Sequence, residues 1–251
     1  MRAFILAAVM AALTGFGSAA NAAEIRVVAP GFIYNSALKD LAADFTRQTG
    51  VKVIVSEVGM GTALQHIQTD TPAYDVVGLP SDLMNTLALE GGIVTGTYTP
   101  LGRDEIALAV RKGAPHPDIS TVAKLAAVLK GGGRIMINDP AGGTMQGAIL
   151  GTILARPVFA GVDAVPVRKG EGAAALARGE GDMALQLVPE ILNKPELELV
   201  APLPAELGGH MDGMLAVSSR AGDPENARAF IRFLTRPAAR AAWKAKGLQP
   251  F

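Results

Sequence analysis

Apolar positions alternate between two rhythms along the chain. Residues 25–29 form a short, mostly apolar run without regular polar alternation, as expected of a strand buried on both faces. In residues 36–49, Leu38, Leu41, Ala42 and Phe45 recur at helical spacing, and Gly50 ends the pattern. Val51, Val53 and Val55 predict a second strand, and Gly59-Met60-Gly61-Thr62 turns into a helix carrying Leu64 and Ile67. Residues 75–79 predict a third buried strand, and Ser81 is placed to cap the helix after it. The order βαβαβ calls for a parallel sheet covered by helices.

A strand predicted at 105–110 leaves this unit. A helix at 121–129 then runs into Gly131-Gly132-Gly133, and a second unit begins. It reads as a strand at 134–137, a polar glycine turn at 138–144 and a helix at 145–154. A strand at 165–167, a helix at 173–178 and a strand at 183–188 follow. A strand near 214–218 returns toward the first unit, and helices at 224–234 and 238–246 close the chain. The fold class is therefore α/β, with two lobes, each a mostly parallel sheet flanked by helices. Two hinge crossings are expected near 101–107 and 212–217. Residues 23–103 plus 213–251 make lobe 1, and 104–212 make lobe 2.

The first 22 residues lie outside this pattern. Arg2 precedes an apolar run from Ala3 to Leu13, and Ala20-Asn21-Ala22 is a small-x-small cleavage pattern. This is a secretory signal peptide, too short in its apolar part to span a bilayer. The chain has no cysteine, so neither disulfides nor lipidation at an N-terminal cysteine are expected, and the mature protein is placed free in the periplasm. Charges balance at 23 basic against 23 acidic residues; removal of residues 1–22 takes away Arg2 alone. No basic tract argues for nucleic acid. His66, His116 and His210 lack metal-ligand spacing, and no nucleophile elbow or HExxH motif occurs, so the expectation is a binding protein, not an enzyme, with no metal or cofactor.

Four turns place glycine between a strand and a helix start: Pro30-Gly31-Phe32, Gly59-Met60-Gly61-Thr62, Ala141-Gly142-Gly143-Thr144 and Lys169-Gly170-Glu171-Gly172. The first turn of a helix carries unpaired N–H groups and positive dipole potential, and glycine lets a ligand approach them. Such starts facing one cleft from two lobes would bind an anion without a charged side chain, at the carboxyl ends of the strands. Each turn taken singly is better read as an ordinary βα connection; four of them on two lobes favour a site. The candidate ligand-binding residues are Gly31, Phe32, Gly59, Met60, Gly61, Thr62, Gly143, Thr144 and Glu171. Arg103, beside the first crossing, is a candidate carboxylate clamp or else a solvated, Asp104-paired residue. Trp243 and Phe251 read as core anchors.

Several segments together resemble the periplasmic molybdate-binding protein family, among type 2 periplasmic binding proteins. They are Ala37-Leu38-Lys39-Asp40-Leu41-Ala42-Ala43-Asp44-Phe45, Thr62-Ala63-Leu64-Gln65-His66-Ile67, Tyr74-Asp75-Val76-Val77, Asn138-Asp139-Pro140 and Ala229-Phe230-Ile231-Arg232-Phe233-Leu234. The resemblance implies a monomeric solute-binding component of an ABC importer, with an inner-membrane permease as partner and hinge closure as mechanism. Serine hydroxyls usual in that family fall here on Gly31-Phe32-Ile33-Tyr34 and Gly59-Met60-Gly61, and a tyrosine expected in lobe 2 falls near Gln186, which joins the candidate list. The expected ligand is a small anion, an organic carboxylate or an oxyanion. Molybdate or tungstate is the alternative within this class; a sensing module for a membrane receptor and a secreted hydrolase are the alternatives outside it.

Overall fold

A computed structural model of the 251-residue chain describes residues 23–69, 73–167 and 171–251. The expected signal peptide, with Lys169 and Gly170 of the fourth glycine turn, lies outside the described residues. Strand β1 (Glu24–Ala29) leads into a short helix α1 (Gly31–Ile33), a π-type turn at Tyr34–Leu38 and helix α2 (Lys39–Thr49). The expected helix at 36–49 thus starts five residues early, with a kink at Ser36, whose hydroxyl donates to the Ile33 carbonyl at 2.6 Å. Gly50 ends α2 in the left-handed conformation that glycine adopts without a Cβ penalty. Strand β2 (Lys52–Glu57), helix α3 (Met60–Thr69), strand β3 (Val76–Pro80) and helix α4 (Ser81–Leu89) follow. β1 pairs in parallel with both β2 and β3.

The 13-residue strand β4 (Thr99–Arg111) joins the two halves of the molecule. The expected strand at 105–110 is its second half; the first half extends it back through Pro100 and Gly102, residue types that disfavour a regular strand. The register shifts between these two residues, which accommodates the proline. A β-carbon on Gly102 would lie 2.5 Å from the Gln249 carbonyl oxygen, so glycine is what admits the last strand beside it. Beyond β4 come α5 (Val122–Gly131), β5 (Ile135–Asn138), α6 (Met145–Leu154), β6 (Ala164–Val167), α7 (Gly172–Ala177) and β7 (Met183–Leu187). Then α8 (Val188–Leu192), β8 (Leu197–Pro202), β9 (His210–Val217), α9 (Pro224–Thr235), α10 (Arg240–Ala245) and β10 (Gln249–Pro250) complete the chain.

The strand order is β2-β1-β3-β9-β4-β7-β5-β6, with β8 and β10 also pairing to β4. Residues 99–105 of β4 pair antiparallel with β9, and from Ile106 onward β4 pairs with β7 and β8 instead. One continuous strand therefore belongs to both sheets. β9 carries the chain back, beginning opposite Glu105 at His210 and pairing on its far side with β3.

The terminal helices pack on the first lobe. Phe45 meets Phe230 and Phe233 edge-on at 5.1 and 5.2 Å between ring centroids, and the indole of Trp243 donates to the Leu234 carbonyl at 2.9 Å. Edge-to-face geometry suits the ring quadrupoles. Phe251, expected beside Trp243 as a core anchor, is half exposed at the chain end.

Candidate functional site

A cleft of about 560 Å³ opens between the lobes at the strand ends. From the first lobe, Pro30, Gly31 and Phe32 follow β1, Glu57 ends β2, and Val58 to Thr62 follow it. From the second, Asn138 ends β5 and Gly143, Thr144 and Gln146 follow it, Glu171 precedes α7, Leu187 ends β7 and Glu190 follows it. The four glycine turns thus supply lining residues to a single cleft.

Two of those turns open ten-residue helices. The Gly59 carbonyl accepts from the Ala63 N–H at 2.8 Å, which places the first-turn N–H groups of α3, on Met60, Gly61 and Thr62, at the cleft wall with no intrahelical acceptor. Thr62 itself is exposed. Thr144 caps α6: its Oγ1 accepts from the Gly147 N–H at 3.1 Å, which leaves the hydroxyl proton able to donate. Gly143 before it has φ +73°, a conformation that favours glycine.

The fourth turn works differently. A β-carbon on Gly172 would lie 2.7 Å from the Met136 carbonyl oxygen, so this glycine lets α7 pack tightly on β5. Glu171 does not cap α7 with its side chain; its carboxylate pairs with the Lys194 ammonium at 3.2 Å. Glu171 still occupies the N-cap position of α7, where a negative charge suits the helix dipole.

Behind the wall lies a chain of amides. The Gly172 N–H donates to Asn138 Oδ1 at 3.1 Å, and the Ala173 N–H donates to Gln186 Oε1 at 3.4 Å. These backbone donors fix which way each amide points. Asn138 Nδ2 and Gln186 Nε2 must then face Gln146, whose Oε1 accepts from both at 3.4 and 3.2 Å. With its oxygen so occupied, Gln146 is left with its Nε2 as a buried donor that has no partner among the described residues. Gln146 is 3% exposed and lines the cleft. An unpaired buried donor costs about 1–3 kcal/mol, and an acceptor on a ligand would relieve that cost.

The cleft also holds three carboxyls, Glu57, Glu171 and Glu190, and no lysine or arginine among its described lining residues. Glu190 is 7% exposed and accepts a hydrogen bond from Gln186 Nε2. Burial, reinforced by the Glu171 charge and less by Glu57, pushes its carboxyl up to about 8, against the opposing effects of Gln186 and Lys194. Glu190 is therefore mostly protonated at neutral pH and presents a hydrogen-bond donor in place of a negative charge. Asp104 is wholly buried, and its carboxyl is raised well above the usual range, mainly by burial and then by Glu190.

Other candidates are placed elsewhere. Arg103 does not line the cleft. It forms a two-pronged pair with Asp212, its register partner on β9, at 2.7 and 2.9 Å, while Asp104 points to the opposite face of the strand as alternation requires. Gln186 is fully buried and acts on the wall from behind, through Gln146 and Glu190. Phe32 borders the cleft but is 1% exposed, its ring packed toward Gly213. Tyr34 lies under the Lys39 ammonium at 4.5 Å, outside the lining. Pro30 and Leu187 are buried in the lining like Phe32, so the apolar surface of the cleft is left to Val58 and Met60, which are partly exposed.

The model of a family described as bacterial extracellular solute-binding proteins matches residues 25–249. The chain belongs to that family. The solute-binding protein shares its fold with a substrate-binding domain of a putative molybdenum ABC transporter from Clostridium difficile, at TM-score 0.73 and 15% identity over 91% of this chain and 99% of that one. The periplasmic molybdate-binding protein of Azotobacter vinelandii superposes at TM-score 0.70, with 18% identity over 89% and 98%. These likenesses establish the type 2 periplasmic binding protein fold, as the resemblance implied. A relative in sequence, 28% identical over 98% of this chain and 95% of its own length, is an aconitate isomerase of a Pseudomonas species.

The most informative residues of the solute-binding protein's cleft were not among the sequence candidates. Gln146 lies in the first turn of a helix that was itself legible. Glu190 follows Val188-Pro189, where proline at the start of α8 is a helix-opening signal, but the apolar run masked it as a continuing strand.

Proposed function

We propose that this protein captures a small organic polycarboxylate in the cleft and delivers it, from the periplasm, to an inner-membrane ABC permease. The observation that carries this reading is the Gln146 amide. It is fixed from behind, so that an unpaired donor sits in a wall flanked by the helix starts of α3 and α6 from opposite lobes. Donors on both lobes give an anion the differential contact that favours a closed state. The only side-chain hydroxyls lining the described cleft are those of Thr62 and Thr144, few for a tetrahedral oxyanion that must replace its whole hydration shell. A cleft of about 560 Å³ with the partly exposed Val58 and Met60 in its wall has room for a carbon skeleton. The sequence relative named for aconitate, itself a small unsaturated tricarboxylate, supports the same class.

Calorimetry with aconitate, citrate and tricarballylate beside molybdate, tungstate and sulfate tests the reading. Tighter binding of a polycarboxylate is expected. Submicromolar molybdate or tungstate binding with no carboxylate signal would replace it with the oxyanion reading.

A further inference from the structure

We propose that Glu190 is an acid–base group that carries a proton between two carbons of a bound unsaturated polycarboxylate, so that the cleft can isomerise its ligand as well as hold it. This inference rests on the polycarboxylate reading above and adds chemistry to it.

The geometry puts a carboxyl where a ligand must lie. Oε2 of Glu190 is held by Gln186, and Oε1 lies 3.0 Å from the point that a β-carbon on Gly31 would occupy. Gly31 has no side chain to shield that oxygen. The surroundings are apolar enough to bury Glu190, yet it borders the open cleft. Its neighbours from every side are known: Glu57 at the end of β2, Glu171 before α7, Lys194 beyond α8, Gln186 on β7 and Asp104 on β4. Burial first, and then the Glu171 and Glu57 charges against Gln186 and Lys194, pushes the carboxyl up to about 8, where both protonation states are accessible and general acid–base transfer is efficient. A group that only bound an anion would gain nothing from the ionised form; a group that moves protons needs both.

The step conserves atoms and electrons. The carboxylate of Glu190 takes a proton from a ligand CH2 that lies between a carboxylate and a carbon–carbon double bond. The released C–H pair forms a new double bond to the adjacent carbon, and the former π pair moves to the far carbon, delocalised into its carboxylate. Glu190 returns the proton to that far carbon, the new C–H bond uses the displaced pair, and the glutamate is again a carboxylate. The double bond has moved by one position, and no oxidant, reductant or water is consumed. Negative charge builds on the ligand carboxylates during the step. The first-turn N–H groups of α3 lie at the cleft wall to receive it, and Gln146, a lining residue, holds an unpaired buried donor in Nε2.

The test uses the mature protein with cis- and trans-aconitate as probes, binding followed by calorimetry and interconversion by proton NMR. Wild type is expected to bind and to interconvert the two. Glu190→Gln, which keeps the shape and a hydrogen-bonding head, should bind within a few-fold and lose at least about 100-fold in rate. The rate of wild type should rise with pH through an apparent pKa near 8. If the protein binds aconitate tightly without interconverting it, the inference is overturned and the binding reading stands; if it binds no polycarboxylate, both fall. Turnover by Glu190→Gln at the wild-type rate, or a rate flat across the range around pH 8, would also overturn the inference. The pH profile decides the matter should the variant fail to fold.

Discussion

Gly31 and Glu190 meet across the cleft between the lobes: Oε1 of Glu190 lies 3.0 Å from where a β-carbon on Gly31 would sit, and Glu57 Oε1 lies 3.1 Å from the same point. A methyl group there would press on two carboxyl oxygens that border the ligand space. Contacts this close force neighbours to give way, and overpacking of this kind costs about 1–3 kcal/mol. Gly31→Ala should therefore weaken ligand binding by about 1–2 kcal/mol, measured by calorimetry, with a smaller loss of thermal stability, because the carboxyl ends can swing. Unchanged affinity would show that the ligand does not enter the space between Gly31 and Glu190.

Asp104 yields a prediction about pH and stability. It is buried with no hydrogen-bond partner meeting ordinary geometry among the described residues, and weak backbone approaches from Val188 and Glu105 give it only partial relief. Its folded-state pKa is raised above the ordinary 3.8. Below that value both folded and unfolded chains are protonated, and the residue contributes no pH dependence. Above it the unfolded chain ionises freely while the folded chain holds the proton, so stability falls as pH rises until the buried carboxyl ionises. Asp104→Asn removes that slope. The variant should show a smaller loss of Tm between pH 5 and pH 8 than wild type, with the residual loss due to Glu190. Parallel Tm–pH curves for the two proteins would contradict the assignment.

The two threonines separate binding from capping. Thr62 is exposed at the cleft, whereas the Thr144 hydroxyl also caps α6. A hydrogen bond to a charged acceptor is worth about 1.5–3 kcal/mol, and an N-cap about 1 kcal/mol. Thr62→Ala is expected to reduce affinity with unfolding stability unchanged, and Thr144→Ala to reduce both. Calorimetry and urea denaturation on the same preparations distinguish the cases. Wild-type affinity in both variants would remove the helix starts from the site.

Much of this architecture could be read from residues alone, because alternation, apolar runs and glycine turns are local signals. Ile25 to Ala29, Met145 to Leu154 and Thr144 fell where the local pattern put them. The cleft's electrostatics were not legible, because they depend on distant partners. Arg103 reads from sequence as a carboxylate clamp or a solvated, Asp104-paired residue, whereas β9 brings Asp212 beside it, 109 positions away in sequence. Gln186 resembled a ligand contact, yet packing of α7 over β5 and β7 buries it behind Gln146. Conversely, nothing near Gln146 in sequence shows that two other amides occupy its oxygen, since one of them comes from 40 residues downstream.

That occupied oxygen permits a clean test of the Gln146 donor. Gln146→Leu would strand the donors of Asn138 and Gln186 and confuse binding with folding. Gln146→Glu is better, because a glutamate keeps an acceptor oxygen for both of those amides and changes only the buried, unpaired donor atom of this lining residue. At that position a donor N–H becomes a carboxylate oxygen, beside the carboxyls of Glu57, Glu171 and Glu190. For an anionic ligand this replaces an attraction with a like charge in a sparsely hydrated wall, and losing one partner of such a contact costs about 2–5 kcal/mol. Binding of the polycarboxylate should therefore fall at least about 30-fold at pH 8, a loss of about 2 kcal/mol. The loss should shrink toward pH 5, where the new carboxyl can hold a proton and donate again. Calorimetry at the two pH values measures this difference, with wild type as the reference for any pH effect of the ligand itself. An affinity for the variant equal to wild type at pH 8 would mean that the Gln146 donor never meets the ligand.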